Sequence, residues 1–159
     1  MSEVPLIYTR LGGAPRLKIA GRLTAASIAL CCFFVLGLAA YLKPSHEGVG
    51  THRAMGFSSC DFMNRTGLPC PTCGMTTSFA WFARGNFLAS FYVQPMGFVL
   101  AVLTAASAWA ALYIAITGKP AHRLMQLLPH RYYLIPLMMF AVASWGWKMF
   151  IHTKGFDGW

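Results

Sequence analysis

Two stretches of this sequence, residues 23–42 and 96–117, run for twenty residues or more without a charged side chain, and a third, residues 132–151, carries only Lys148. A helix rises about 1.5 Å per residue, so roughly twenty residues cross the roughly 30 Å of hydrocarbon in a bilayer. With 57% of its residues hydrophobic and 11% charged, the chain is far more apolar than a soluble domain. It reads as one integral membrane unit. The fold class expected is an all-α membrane protein with three transmembrane helices, plus short interfacial helices after a cysteine-rich loop.

Lys43 and Pro44 end the first span, and Gly118, Lys119 and Pro120 close the second. A cleaved signal peptide competes for residues 23–42, with Gly37 and Ala39 near a cut site. The apolar run exceeds the usual 7 to 15 residues or so, which favours an uncleaved anchor. Ala101, Ala105, Ala108 and Ala111 share one face of the second span and predict close helix packing. The third span contains Pro136, Gly146 and Lys148. Lying about one turn from the end, Lys148 is expected to snorkel toward the headgroups. The other polar groups in the spans are Ser and Thr, so no carboxylate relay suggests a transporter.

Thirteen Lys and Arg against four acids give a net charge of +9. Topology accounts for it, because cytoplasmic segments of membrane proteins accumulate basic residues. The tail at 1–22 and the loop at 118–131 together hold seven Lys and Arg in 36 residues, whereas the connection at 43–95 holds four in 53. The two denser segments are assigned to the cytoplasm, N-terminus included, and the connection to the other side. A short tail, 152–159, follows the last span. No basic run interleaved with aromatics points to nucleic acid. The bilayer is the implied partner, with other membrane proteins as further candidates.

The 43–95 connection holds the chemistry. Residues 60–77 read C-D-F-M-N-R-T-G-L-P-C-P-T-C-G-M-T-T. Cys70 and Cys73 enclose two residues and can bring both sulfurs to one metal ion or one disulfide, with Cys60 as a third participant. Gly67 and Pro69 set a turn before the pair, and Pro71 suits the first turn of a helix whose N-terminus would face Cys70. Short helices are expected over 75–83 and 87–93, at or dipping into the interface, with Asn86 capping the second. Cys31 and Cys32, mid-span, are read as small hydrophobes.

The pattern T-G-x-P-C-P-x-C-G-x-T, with a cysteine upstream and an R-G-N step downstream, resembles an uncharacterised family of small bacterial membrane proteins that carries a domain-of-unknown-function label. Thr66, Gly67, Pro69, Cys70, Pro71, Cys73, Gly74 and Thr76 carry the resemblance, which runs over about residues 60–117. Thr77 departs from the arginine usual there, and Gln94 from a common asparagine. The resemblance implies a bacterial inner-membrane protein of several spans and brings no reaction with it.

An extracytoplasmic position favours disulfides over free thiols. Three readings of the cysteines follow. In the first, Cys60 pairs with Cys70 or Cys73 and staples the loop, contributing on the order of 2 to 3 kcal/mol. In the second, Cys70 attacks and Cys73 resolves in thiol-disulfide exchange, with Cys60 passing the disulfide on; the C-P-x-C step locally resembles that of glutaredoxins, although no βαβ pattern surrounds it. In the third, Cys60, Cys70 and Cys73 bind structural zinc with His52 or His46 as fourth ligand. The staple in a structural or interaction protein, without catalysis or cofactor, is the reading preferred from sequence. Exchange is the alternative and zinc the third.

Overall fold

The computed structural model of the protein describes residues 17–119 and 131–156, with the side chains of 131–133 left aside. Most of the basic tail, the basic loop between the second and third spans, and the last three residues therefore lie outside the described residues. Every element is helical, with no strand among the described residues: α1 (Ile19–Tyr41), a 3-10 turn (Thr51–Met55), α2 (Asp61–Thr66), α3 (Met75–Ala83), α4 (Phe87–Val93), α5 (Pro95–Thr117) and α6 (Arg131–Thr153). The helices α1, α5 and α6 each have 23 residues and are long and apolar enough to cross a membrane. The protein is thus all-helical with three candidate spans.

Helix α1 begins four residues before the uncharged run, and Arg22 in its first turn explains how a charge is accommodated there. Its Nε donates to Ala115 O at 2.9 Å and its Nη2 to Ile116 O at 3.0 Å. These are carbonyls of the last turn of α5, which have no partner within their own helix and carry its negative dipole end. Leu17 N also donates to Gly118 O at 2.8 Å. The start of α1 and the end of α5 therefore share one end of an antiparallel pair. Small residues line the contact: Ala25, Ala29 and Ala39 from α1 and Ala101, Ala108 and Ala111 from α5 are buried. The expected alanine row does pack, with Ala105 only half-buried at its edge.

At the opposite end, α3 packs on both α1 and α5, and α4 on α3 and α5. Ser78 joins them, its Oγ lying 2.9 Å from both the Ser90 carbonyl and the Ser90 hydroxyl, which in turn donates to Ser78 O at 2.8 Å. A Cβ on Gly97 of α5 would stand 2.9 Å from the Ser78 side chain, so the absent methyl sets how closely α5 approaches α3. Asn86 caps α4 as its position suggests, Oδ1 accepting from Ala89 N at 3.1 Å. Phe82, Phe87 and Phe91 surround Phe98 at centroid separations of 5.7 to 6.5 Å.

Helix α6 is tied in through its C-terminal half. The hydroxyl of Ser144 accepts from Met96 N at 2.9 Å, satisfying a free N–H in the first turn of α5. Trp147 Nε1 donates to Tyr92 O at 2.8 Å. Lys148 corrects the expectation of a snorkelling side chain: it is fully buried, and its Nζ donates to Gly48 O at 3.3 Å. The chain that follows α1 folds back over this part of α6, so the ammonium meets a loop carbonyl and not the headgroups.

Candidate functional site: a cavity with three cysteines

The cavity is built from two loop segments that glycine allows to turn sharply. The first runs through the 3-10 turn, flanked by Gly50 at φ 86° and Gly56 at φ 85°. The second begins at Cys60, which precedes α2, turns at Gly67 with φ 70°, and passes Pro69 to Gly74. Gly74 is required twice over. Its φ of 88° lies in the left-handed region, and a Cβ there would meet the Gly48 carbonyl at 2.9 Å, Lys148 Cε at 3.4 Å and Val93 Cγ1 at 3.4 Å. Glycine at this point lets the first loop lie directly over the second.

This backbone also moves the helix start. Pro71 and Thr72 lie in a turn, with Cys73 N donating to Cys70 O at 3.0 Å, and α3 begins only at Met75. The expectation that Pro71 opens a helix aimed at Cys70 is thereby corrected. Positive φ at Gly74 interrupts the right-handed run, and Cys70 lies upstream of the interruption.

The three loop cysteines converge. Their Sγ atoms all lie within 4.8 Å of one another, and Cys70 Sγ is 3.1 Å from Cys73 Sγ. The Thr72 hydroxyl stands 3.2 Å from Cys70 Sγ. All five cysteines carry free sulfurs, with Cys60 and Cys70 partly exposed and Cys73 buried. Cys60, Cys70 and Cys73 face a cavity of about 370 Å³ whose wall includes Gly50, His52, Thr72, Met75 and Thr77. His52 donates from Nε2 to Ser58 O at 3.2 Å, and the Cys60, Cys70, Cys73 cluster does not include it. His46 lies elsewhere, its ring edge-on to Trp81 at 5.9 Å. Cys31 and Cys32 stay on α1, away from the cavity.

Side chains far away in sequence hold this loop. Trp145 Nε1 donates to Pro69 O at 3.1 Å and Gln94 Nε2 to Pro71 O at 3.0 Å, so the carbonyls on both sides of Cys70 are fixed by other elements. Thr77 is buried and shares a 2.8 Å hydroxyl contact with Thr51. Thr51 Oγ1 also accepts from Ser45 N at 3.0 Å. The sequence did not place Trp145, Lys148 and Gln94 beside the loop they hold. Lys148, the one charge in the third apolar stretch, and Gln94, next to Pro95, stood out in the sequence, whereas Trp145 did not.

The two close thiols differ electrostatically. Burial pushes the Cys70 thiol up, but hydrogen bonds from the Thr72 hydroxyl, the Cys73 and Cys60 thiols and the Thr72 N–H outweigh it and lower the pKa to about 7. Burial pushes Cys73 up, and its hydrogen bond to Cys70 adds to this, bringing it to about 12. A thiolate is thus favoured at the more exposed sulfur and a thiol at the buried one, the division that separates an attacking from a resolving cysteine.

No curated protein and no solved structure is similar enough to the chain to count as a match. The segment that supplies Cys60, Cys70 and Cys73 and runs on through α3 and α4 into α5, residues 60–108, matches the family described as "Protein of unknown function (DUF2752)".

Proposed function

We propose that the protein is a membrane thiol-disulfide exchange protein, with Cys70 attacking, Cys73 resolving and Cys60 as the third sulfur. One observation carries the reading: three sulfurs lie within 4.8 Å of one another, one pair of them 3.1 Å apart. A disulfide between any two leaves the third thiol beside it. A bridge that staples the loop is then itself open to attack, so the convergence supports an exchanging trio over an inert staple.

Cys70 thiolate attacks one sulfur of a partner disulfide and expels the other as a partner thiolate. Cys73 then loses its proton and attacks Cys70, forming the Cys70–Cys73 disulfide and releasing the second partner sulfur. Two electrons have passed from the site to the partner. With an oxidised site and a partner dithiol the same steps run in reverse. Attack by Cys60 on either half of the bridge moves it without net electron transfer.

The proposed location is the bacterial cytoplasmic membrane, the N-terminus inside and the cavity outside. The Lys and Arg distribution supports it, and an oxidising compartment suits the chemistry. The test is the double variant Cys60→Ser, Cys73→Ser, which leaves Cys70 no neighbouring sulfur to resolve it, mixed with glutathione disulfide. A persistent glutathione adduct on the Cys70 peptide, read by mass and lost when Cys70→Ser is added, is the expected result. No adduct on Cys70 in the double variant, in a chain that remains monodisperse, would overturn the reading.

A further inference from the structure

The metal-ligating side chains that cluster in the cavity are all cysteines. Cys60, Cys70 and Cys73 bring three Sγ atoms together, and no carboxylate or imidazole joins that cluster among the described residues. Met75 adds a thioether side chain to the wall of the same cavity. A closed zinc site takes four ligands in a tetrahedron, and His52, although on the wall of the same cavity, is not part of the cluster of sulfurs within 4.8 Å of one another. Sets of thiolate and thioether select soft metals, monovalent copper foremost.

Such an ion needs the Cys70 and Cys73 sulfurs to part by somewhat less than about 1 Å, within the spread of the trio. Three sulfurs about 2.3 Å from one metal in a trigonal plane stand about 4 Å apart. That spacing falls between the 3.1 Å of the Cys70 and Cys73 sulfurs and the 4.8 Å that bounds the trio. The loop is also held for the purpose, since Trp145 and Gln94 fix the carbonyls of Pro69 and Pro71.

We propose that the reduced cavity binds one Cu(I) through the thiolates of Cys60, Cys70 and Cys73, with the Met75 thioether beside them. Binding releases thiol protons and changes no oxidation state. Occupied sulfurs cannot attack a disulfide, so copper switches exchange off, and a disulfide in the trio prevents copper binding. The metal site uses the residues of the exchange reading but rests on the convergence of the sulfurs alone.

The test uses the full chain in detergent, anaerobic and reduced, with Cys31 and Cys32 replaced by alanine, titrated against the Cu(I) complex of bicinchoninate. One copper per chain should leave the chelator, with a thiolate-to-copper absorption band in the near ultraviolet. Cys60→Ser should weaken binding at least about tenfold, since even a partner one shell further out is worth that much. Oxidising the trio with diamide in that same background should abolish binding with none of the three cysteines substituted. Copper that stays with bicinchoninate, binding undiminished in Cys60→Ser, or binding undiminished after diamide would each overturn the proposal. A chain that takes copper but forms no Cys70 adduct overturns the exchange reading alone, and one that exchanges disulfides but leaves copper behind overturns the metal site alone.

Discussion

Cys70 and Cys73 are three residues apart and differ in what surrounds each sulfur. The Thr72 hydroxyl is the foremost influence lowering the Cys70 pKa to about 7, while burial raises that of Cys73 to about 12. The linkage to stability has opposite signs. Ionisation of Cys70 supports the fold in full above its ordinary 9.0, and that support is lost as the pH falls through about 7. The neutral Cys73 supports the fold in full below 9.0 and loses that support as the pH rises through about 12. Alkylation by iodoacetamide, followed peptide by peptide in a mass spectrometer, should rise for Cys70 through about pH 7 and leave Cys73 unlabelled at pH 9. Thr72→Val should move the Cys70 midpoint upward toward 9.0. An unmoved midpoint would remove the hydroxyl as the cause.

Among the elements, α6 does most to bring distant parts of the chain to the site. Trp145 and Lys148, one turn apart on it, donate to Pro69 O and Gly48 O, one carbonyl from each of the two loops that wall the cavity. Lys148→Met withdraws the donor from the Gly48 carbonyl and removes a buried cation. A snorkelling lysine would tolerate that change, whereas this one should lose about 1 to 3 kcal/mol, the scale for a buried polar group deprived of its partner. Thermal unfolding in detergent measures it, and a melting temperature equal to that of the unsubstituted chain would contradict the burial. The three long helices were legible from apolar length, and α3 and α4 from the breaks at Gly74 and Arg84 to Asn86. The burial of Lys148 was not legible, because it depends on where residues 42–50 fold back.

On the scale of the molecule, α1 and α5 form an antiparallel pair with Arg22 and Gly118 at one end and the cysteine cavity at the other. In the proposed orientation, which the Lys and Arg count supports, the cavity end lies outside and the Arg22 end inside. Ser58→Cys and Lys119→Cys, both at exposed positions, each introduced into a chain whose native cysteines are replaced, test the assignment. An impermeant maleimide added to intact cells should label the first at once and the second only after the membrane is opened. The reverse pattern would place the cavity in the cytoplasm and remove the oxidising compartment from the proposed function.

The sequence by itself determined whatever depends on neighbours a few residues apart or on simple length. Three apolar runs make three helices, Asn86 caps α4 through Ala89, and two intervening residues place Cys70 and Cys73 within reach of each other. Cys60, ten residues upstream, was a third participant on the sequence, and tertiary structure brought it to the pair; tertiary structure alone decided that His52 stands on the cavity wall outside the sulfur cluster. It also decided which side chains hold the loop, since Trp145 lies 76 positions from Pro69 and Lys148 lies 100 from Gly48. Such pairings have no local signature. They arise because buried backbone carbonyls must find a donor, and which donor is near is settled only when the helices have packed.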